Sequence, residues 1–146
     1  MCIRDRLIAA RNAKNAGQMN DERLQWIFKL FPAVEKFWNH PAGKLSGVQK
    51  QMLAVARAIV EPRDLLIIDE PSKGLAPAII QNMIEAFQQL KASGVTILLV
   101  EQNIYFAQQL GDTVAVMDNG CVMHAGRMQA LAEDTALQQS LLGLAL

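Results

Sequence analysis

Two apolar runs set the frame of the chain. Leu65-Leu66-Ile67-Ile68 has no polar alternation, which predicts a strand over 64–68 buried on both faces, as in a parallel sheet covered by helices. Pro71 stops it, and Val95–Val100 predicts a second buried strand. Between them, Ile80, Met83, Ile84 and Phe87 recur at helical spacing after Pro77, which pre-sets the first turn of a helix running to about Lys91. Ser93-Gly94 closes that helix. Strand, helix, strand in this order predicts a right-handed crossover in a parallel sheet.

The flanks are periodic as well. Asn20 is a candidate cap for a helix opened by Asp21 and Glu22, with Leu24, Ile27, Phe28 and Phe31 at helical spacing until Pro32 interrupts them. A short helix over 33–38 leads to the loop Asn39-His40-Pro41-Ala42-Gly43. Ser46, with Gln49 three residues on, matches a capping box, and Met52, Val55, Ala56 and Ile59 form one apolar face of the helix that Pro62 ends. Past the second strand, the pattern predicts a helix through Phe106–Leu110 and a hairpin of 113–117 and 121–124 about Asn119-Gly120. Two short helices over 127–142 are expected to pack Met128, Leu131, Leu137, Leu141 and Leu142 on the sheet. Residues 1–6, Met-Cys-Ile-Arg-Asp-Arg, continue no periodic pattern; they read as a non-native adapter and are set apart from the fold.

Composition narrows the function classes. With 146 residues, 51% of them hydrophobic, the chain can form one modest domain or part of one. Lys+Arg 14 balance Asp+Glu 14, so no basic face argues for nucleic acid or an anionic membrane surface. No run approaches the length of about 18 apolar residues that spans a bilayer, and no signal peptide is visible, so a soluble intracellular chain is expected. Cys2 and Cys121 are too isolated for a disulfide framework, and His40 and His124 lie in no ligand spacing.

The chemistry concentrates at Asp69-Glu70, two carboxylates at the carboxyl end of a buried strand, where ligands of open α/β sheets collect. A hard cation and a water suit them. The helix opening at Ser46-Gly47 offers unpaired N–H groups and a positive dipole end to a phosphate, although the capping box alone explains Ser46 and Gln49.

In this order and spacing, Leu45-Ser46-Gly47-Val48-Gln49, Leu65–Pro71, Ser72-Lys73-Gly74-Leu75-Ala76-Pro77 and Val95–Asn103 resemble the ATP-binding subunit of an ABC transporter, of the branched-chain amino acid importer type, from about Asp21 onward. The resemblance implies an α/β fold. It would be a partial P-loop NTPase-like ABC ATPase domain, with a mostly parallel sheet and flanking helices, then a C-terminal hairpin and short helices. Residues of about 20–61 would end the helical subdomain and carry the signature helix, and 62–146 would be the C-terminal part of the catalytic core. Ser46, Gly47 and Gln49 would contact the nucleotide of an opposite subunit, Asp69 would hold Mg²⁺ through water as the Walker B carboxylate, and Glu70 would be the general base. Ser72, Gly74, Leu75 and Ala76 would form the D-loop at the dimer interface. Gln102 would stand at the switch position, where most of the family carries a histidine; its amide donates a hydrogen bond but does not titrate near neutrality.

Two positions depart from the wider family: Val48 replaces a glycine of the signature, and Ala76 replaces the D-loop aspartate, although Gly-Leu-Ala-Pro is itself typical of the branched-chain type. No Gly-x-x-x-x-Gly-Lys-Ser/Thr occurs, so the phosphate loop is missing and the chain is expected to be a C-terminal fragment, inactive alone. The resemblance implies ATP and Mg²⁺ as ligands. It implies as partners a second ATP-binding subunit, transmembrane permease subunits and, indirectly, a periplasmic or extracellular binding protein, with a cytoplasmic location on the inner face of the membrane. The alternatives are a chromosome-maintenance or repair ATPase, against which the absence of sustained heptads counts, and a non-catalytic interaction fragment.

Overall fold

A computed structural model describes residues 1–11 and 22–143. They divide into two compact units, Met1–Val100 and Glu101 to the C-terminus. The cap expected at Asn20 and Asp21 lies outside the described residues.

The first unit opens with helices α1 (Ile3–Ala10), α2 (Glu22–Leu30), α3 (Pro32–Lys36) and α4 (Gly47–Ile59), with a short 3₁₀ turn at Ala42–Lys44. Pro32 starts α3 at its first position, where a missing N–H costs nothing, and so it begins the next helix as well as interrupting the last. Residues 1–6, which the sequence pattern set apart, pack with this unit. Ile3 and Leu7, one helical turn apart, are buried, and α1 lies against α4. The Arg23 guanidinium donates to the carbonyl of Ile59 at 2.8 Å, tying α2 to the end of α4, and Arg11 pairs with Glu61 at 3.4 Å. On α4 the buried face is Leu53, Val55, Ala56 and Ile59, with Met52 only half-buried.

Strands β1 (Leu65–Asp69) and β2 (Thr96–Val100) pair in parallel, Leu65 opposite Thr96 through Asp69 opposite Val100. Helix α5 (Pro77–Ala92) connects them and buries Met83, Ile84, Ala86, Phe87 and Leu90. The expectation that these strands are covered on both faces is corrected here. Leu66 and Ile68 point inward, but Leu65, Ile67, Leu98 and Val100 alternate with the inward residues and are more than half exposed. Successive strand residues face opposite sides, so covering one face of the pair leaves every second apolar residue in solvent.

The second unit contains α6 (Ile104–Leu110), β3 (Thr113–Asp118), β4 (Cys121–Arg127), α7 (Met128–Glu133) and α8 (Thr135–Leu142). Asn119 and Gly120 have φ 47° and 78°, the two positive values that a two-residue hairpin turn requires, and the ladder shifts register between Val116 and Met117. Phe106, Met128 and Leu131 form the buried centre. Helix α7 lies against β3, β4 and α6, as expected. Helix α8 lies on α7, and its Leu137 and Leu141 are half-buried. The side chain of Leu142 is outside the description.

The burial of Leu7 generates a stability test. Leu7→Ala should lower the unfolding free energy by about 2–5 kcal/mol, the range for truncating a fully buried leucine. Urea denaturation followed by circular dichroism measures it, and an unchanged midpoint would show that α1 is not part of the folded unit.

Candidate functional site

The end of β1 is built by the ladder. Asp69 is the last paired residue, and the backbone N–H of Glu70 donates to the carbonyl of Val100 at 2.9 Å, adding one rung beyond the strand. At the other end, Thr96 N–H donates to the Asp64 carbonyl, also at 2.9 Å. Asp69 is therefore held on the exposed side of the sheet, and Glu70, half-buried, follows it. Glu70 has φ 45°, a left-handed conformation that non-glycine residues adopt in only a few per cent of cases. Such outliers cost on the order of 1–3 kcal/mol and persist where surrounding bonds enforce them. Here the enforcing bonds are the donation to Val100 and the donation of Lys73 N–H to the Glu70 carbonyl at 3.2 Å.

The turn continues with Leu75 N–H donating to the Ser72 carbonyl at 3.2 Å, and Gly74 takes φ 72°, which its missing Cβ permits. Ser72 is buried, Leu75 half-buried, and Gly74 and Ala76 exposed. The carbonyl of Ala76 accepts from Ile79 and Ile80, starting α5. Thus Asp69, Glu70, Ser72, Gly74, Leu75 and Ala76 share one short segment at the carboxyl end of β1.

Lys73 belongs to the same turn and was not singled out from sequence. Its ammonium makes an ion pair with Glu70 Oε2. The hydrogen bond to Glu70, then that carboxylate's charge, raises the Lys73 pKa above its ordinary value, and the charge of Asp69 adds a smaller push. The available signal was opposite charge at three-residue spacing in a segment rich in turn formers.

Ser46, Gly47 and Gln49 are placed on the first turn of α4. Gln49 N–H donates to Ser46 Oγ at 3.3 Å, and Ser46 N–H donates to Gln49 Oε1 at 2.9 Å, a complete reciprocal cap. Gly47 takes no part in these side-chain bonds, its φ is not positive, and a Cβ built there would meet nothing within 4 Å. The fold therefore does not demand glycine at 47.

Gln102 lies in the second unit. Its N–H and that of Asn103 both donate to Glu101 Oε2 at 3.1 Å, and Asn103 Oδ1 accepts from Phe106 N–H at 3.1 Å, capping α6. The Gln102 side chain is exposed. Sequence reasoning missed Glu101 as the organiser of this turn.

Among the described residues, no cluster of three or more His, Cys, Asp or Glu could cage a metal. The oxygen donors of Asp69 and Glu70 nevertheless suit Mg²⁺, which keeps most of its waters and takes one or two carboxylates with substrate phosphates. Among the described residues, no helix is long and apolar enough to cross a membrane.

With this geometry in place, comparison with known proteins is informative. The profile of the ABC transporter family matches residues 2–73. Over 94% of its length the chain is 36% identical to the high-affinity branched-chain amino acid transport ATP-binding protein BraG of Pseudomonas aeruginosa. Over 77% it is 30% identical to the arginine transport ATP-binding protein ArtM of Bacillus subtilis. The chain spans 61% and 47% of those two relatives' lengths. A solved nucleotide-free ATP-binding cassette from an ABC transporter superposes with TM-score 0.71 at 21% identity, covering 100% of this chain and 64% of that one; this likeness shows the fold.

The α4 cap generates a direct test. Ser46→Ala should cost about 0.5–2 kcal/mol of stability through the orphaned Gln49 N–H, and Ser46→Asp should keep most of it. Thermal denaturation of the two variants checks this, and equal losses would show that the cap is not what holds the turn.

Proposed function

Because the chain belongs to the ABC transporter family of ATP-binding domains, we propose that it is part of an ATP-binding and hydrolysing subunit that energises uptake of branched-chain or related amino acids. The observation that carries this is the pair of carboxylates Asp69 and Glu70, fixed at the end of β1 by the rung from Glu70 to Val100. In phosphoryl transfer the protein chiefly positions groups and neutralises charge. Asp69 would hold Mg²⁺, whose chemistry when bound is to neutralise charge on the nucleotide's phosphates. Glu70 would accept a hydrogen bond from the attacking water and then its proton. Ser46, Gly47 and Gln49 would present the start of α4 to a phosphate carried by a second ATP-binding subunit, where the bare backbone at Gly47 allows close approach. Ser72, Gly74, Leu75 and Ala76 would lie at the contact with that subunit, and the exposed Gln102 amide would donate to the terminal phosphate.

The substrate class is supported by the relatives, since BraG, at the higher identity, serves branched-chain amino acids and ArtM serves arginine. A transport ATP-binding subunit would dock on membrane permease subunits, at the inner face of the membrane in the assembled transporter. A balance of 14 basic and 14 acidic residues gives no support to a nucleic-acid partner.

The test uses the chain alone and the chain joined in frame to the amino-terminal segment of BraG. The 146 residues alone should hydrolyse no ATP above a Glu70→Ala control, because they contain no Gly-x-x-x-x-Gly-Lys-Ser/Thr phosphate loop. The joined protein should turn over ATP, and Glu70→Gln in it should reduce turnover by about 10²–10⁴-fold, the range for removing a general base, with nucleotide binding retained. Phosphate release and fluorescent-nucleotide titration read the two quantities. Loss of binding together with turnover would make Glu70 a structural residue.

A further inference from the structure

Lys73 closes the turn after β1 twice. Its backbone N–H donates to the Glu70 carbonyl, and its ammonium holds Oε2 of the same residue. The Lys73 side chain is 75% exposed, against 23% for Glu70, so packing does not explain where the ammonium sits. Exposed ion pairs contribute little to fold stability, and this pair's consequence therefore lies in where it puts the carboxylate. The backbone of Glu70 is already fixed in the left-handed region, which sets the direction in which its side chain departs. The ion pair then selects among the remaining rotamers, and orienting a reacting group in this way is a principal means by which proteins lower a barrier.

We propose that Lys73 is a positioning residue for Glu70, holding its carboxylate in one orientation at the end of β1 for the proton-accepting step; this rests on the assignment of Glu70 as the general base. In that step a water oxygen forms a bond to the γ-phosphorus while the bridging P–O bond breaks and its electron pair leaves on ADP. The water's proton passes to Glu70. Lys73 stays on Oε2 throughout the step.

Two measurements test this. In the 146-residue chain, three-bond NMR couplings of Glu70 should report one dominant χ1 rotamer in the parent and averaged rotamers in Lys73→Met, and Lys73→Arg should restore the parent couplings. In the chain joined to the BraG segment, Lys73→Met should lower kcat several-fold with KM for ATP unchanged, and Lys73→Arg should recover it. Unchanged Glu70 couplings, an unchanged kcat, or a kcat that rises in Lys73→Met overturns the proposal; a rise would mean that the pair holds Glu70 off the water. If Glu70→Gln keeps its turnover, the base assignment falls and this proposal falls with it. If Glu70→Gln is inactive and Lys73→Met behaves as the parent, only the role of Lys73 falls.

Discussion

The rung between Glu70 N–H and the Val100 carbonyl governs the region of greatest chemical interest. Parallel strands cannot be joined by a tight turn, so pairing β1 with β2 obliges the chain to leave the sheet, cross over and return. Residues 70–76 make the exit and α5 makes the crossover. Because the ladder extends through Glu70, the exit must begin on that residue. Pro71 cannot donate to the ladder, and the bond from Lys73 N–H back to the Glu70 carbonyl then closes a turn that the left-handed backbone of Glu70 accommodates. The backbones of Asp69 and Glu70 are thus placed by main-chain bonding.

The same economy does not apply at the start of α4. There the reciprocal cap between Ser46 and Gln49 satisfies two backbone donors and would do so in any helix. It accounts for two members of the Ser46-Gly47-Val48-Gln49 stretch and leaves Gly47 without a structural cause. Its conformation is open to other residues, it has space around it, and in a helix glycine is entropically costly relative to alanine. On the proposed reading, a phosphate approaching the start of α4 would benefit from the bare backbone at 47. Val48, half-buried beside it, puts a branched side chain at the next residue and limits how closely such a group can follow the chain.

Much of the fold was legible in the residue pattern. The two strands fall within a residue of the predicted limits, Asn119-Gly120 forms the hairpin turn, and Pro77 starts α5. What escaped has identifiable causes. An unbroken apolar run does not say how many faces are covered, and here Leu65, Ile67, Leu98 and Val100 form an exposed apolar face. Helix α1 escaped because its buried face is only Ile3 and Leu7, with arginines and Asp5 between them, a pattern too short to register until α4 is placed beside it. The pair between Lys73 and Glu70 escaped because a turn has no fixed side-chain period, so spacing alone does not tell which charges meet.

Local bonding also separates the ways in which two proposed participants are held. Glu70 is fixed by the strand ladder and its turn, whereas Gln102 is fixed by Glu101, whose carboxylate accepts from the backbone of Gln102 and Asn103, and by the Asn103 cap on α6. Changes in α6 therefore bear on residue 102 through its cap, and changes in the sheet bear on Glu70 through its ladder. The two side chains also differ in what pH does to them. An amide presents the same donor and acceptor across neutral pH, where an imidazole would change its charge. On the proposed assignment, the switch position therefore carries no group that titrates near neutrality. The ammonium of Lys73, held charged by the Glu70 carboxylate, is equally insensitive there.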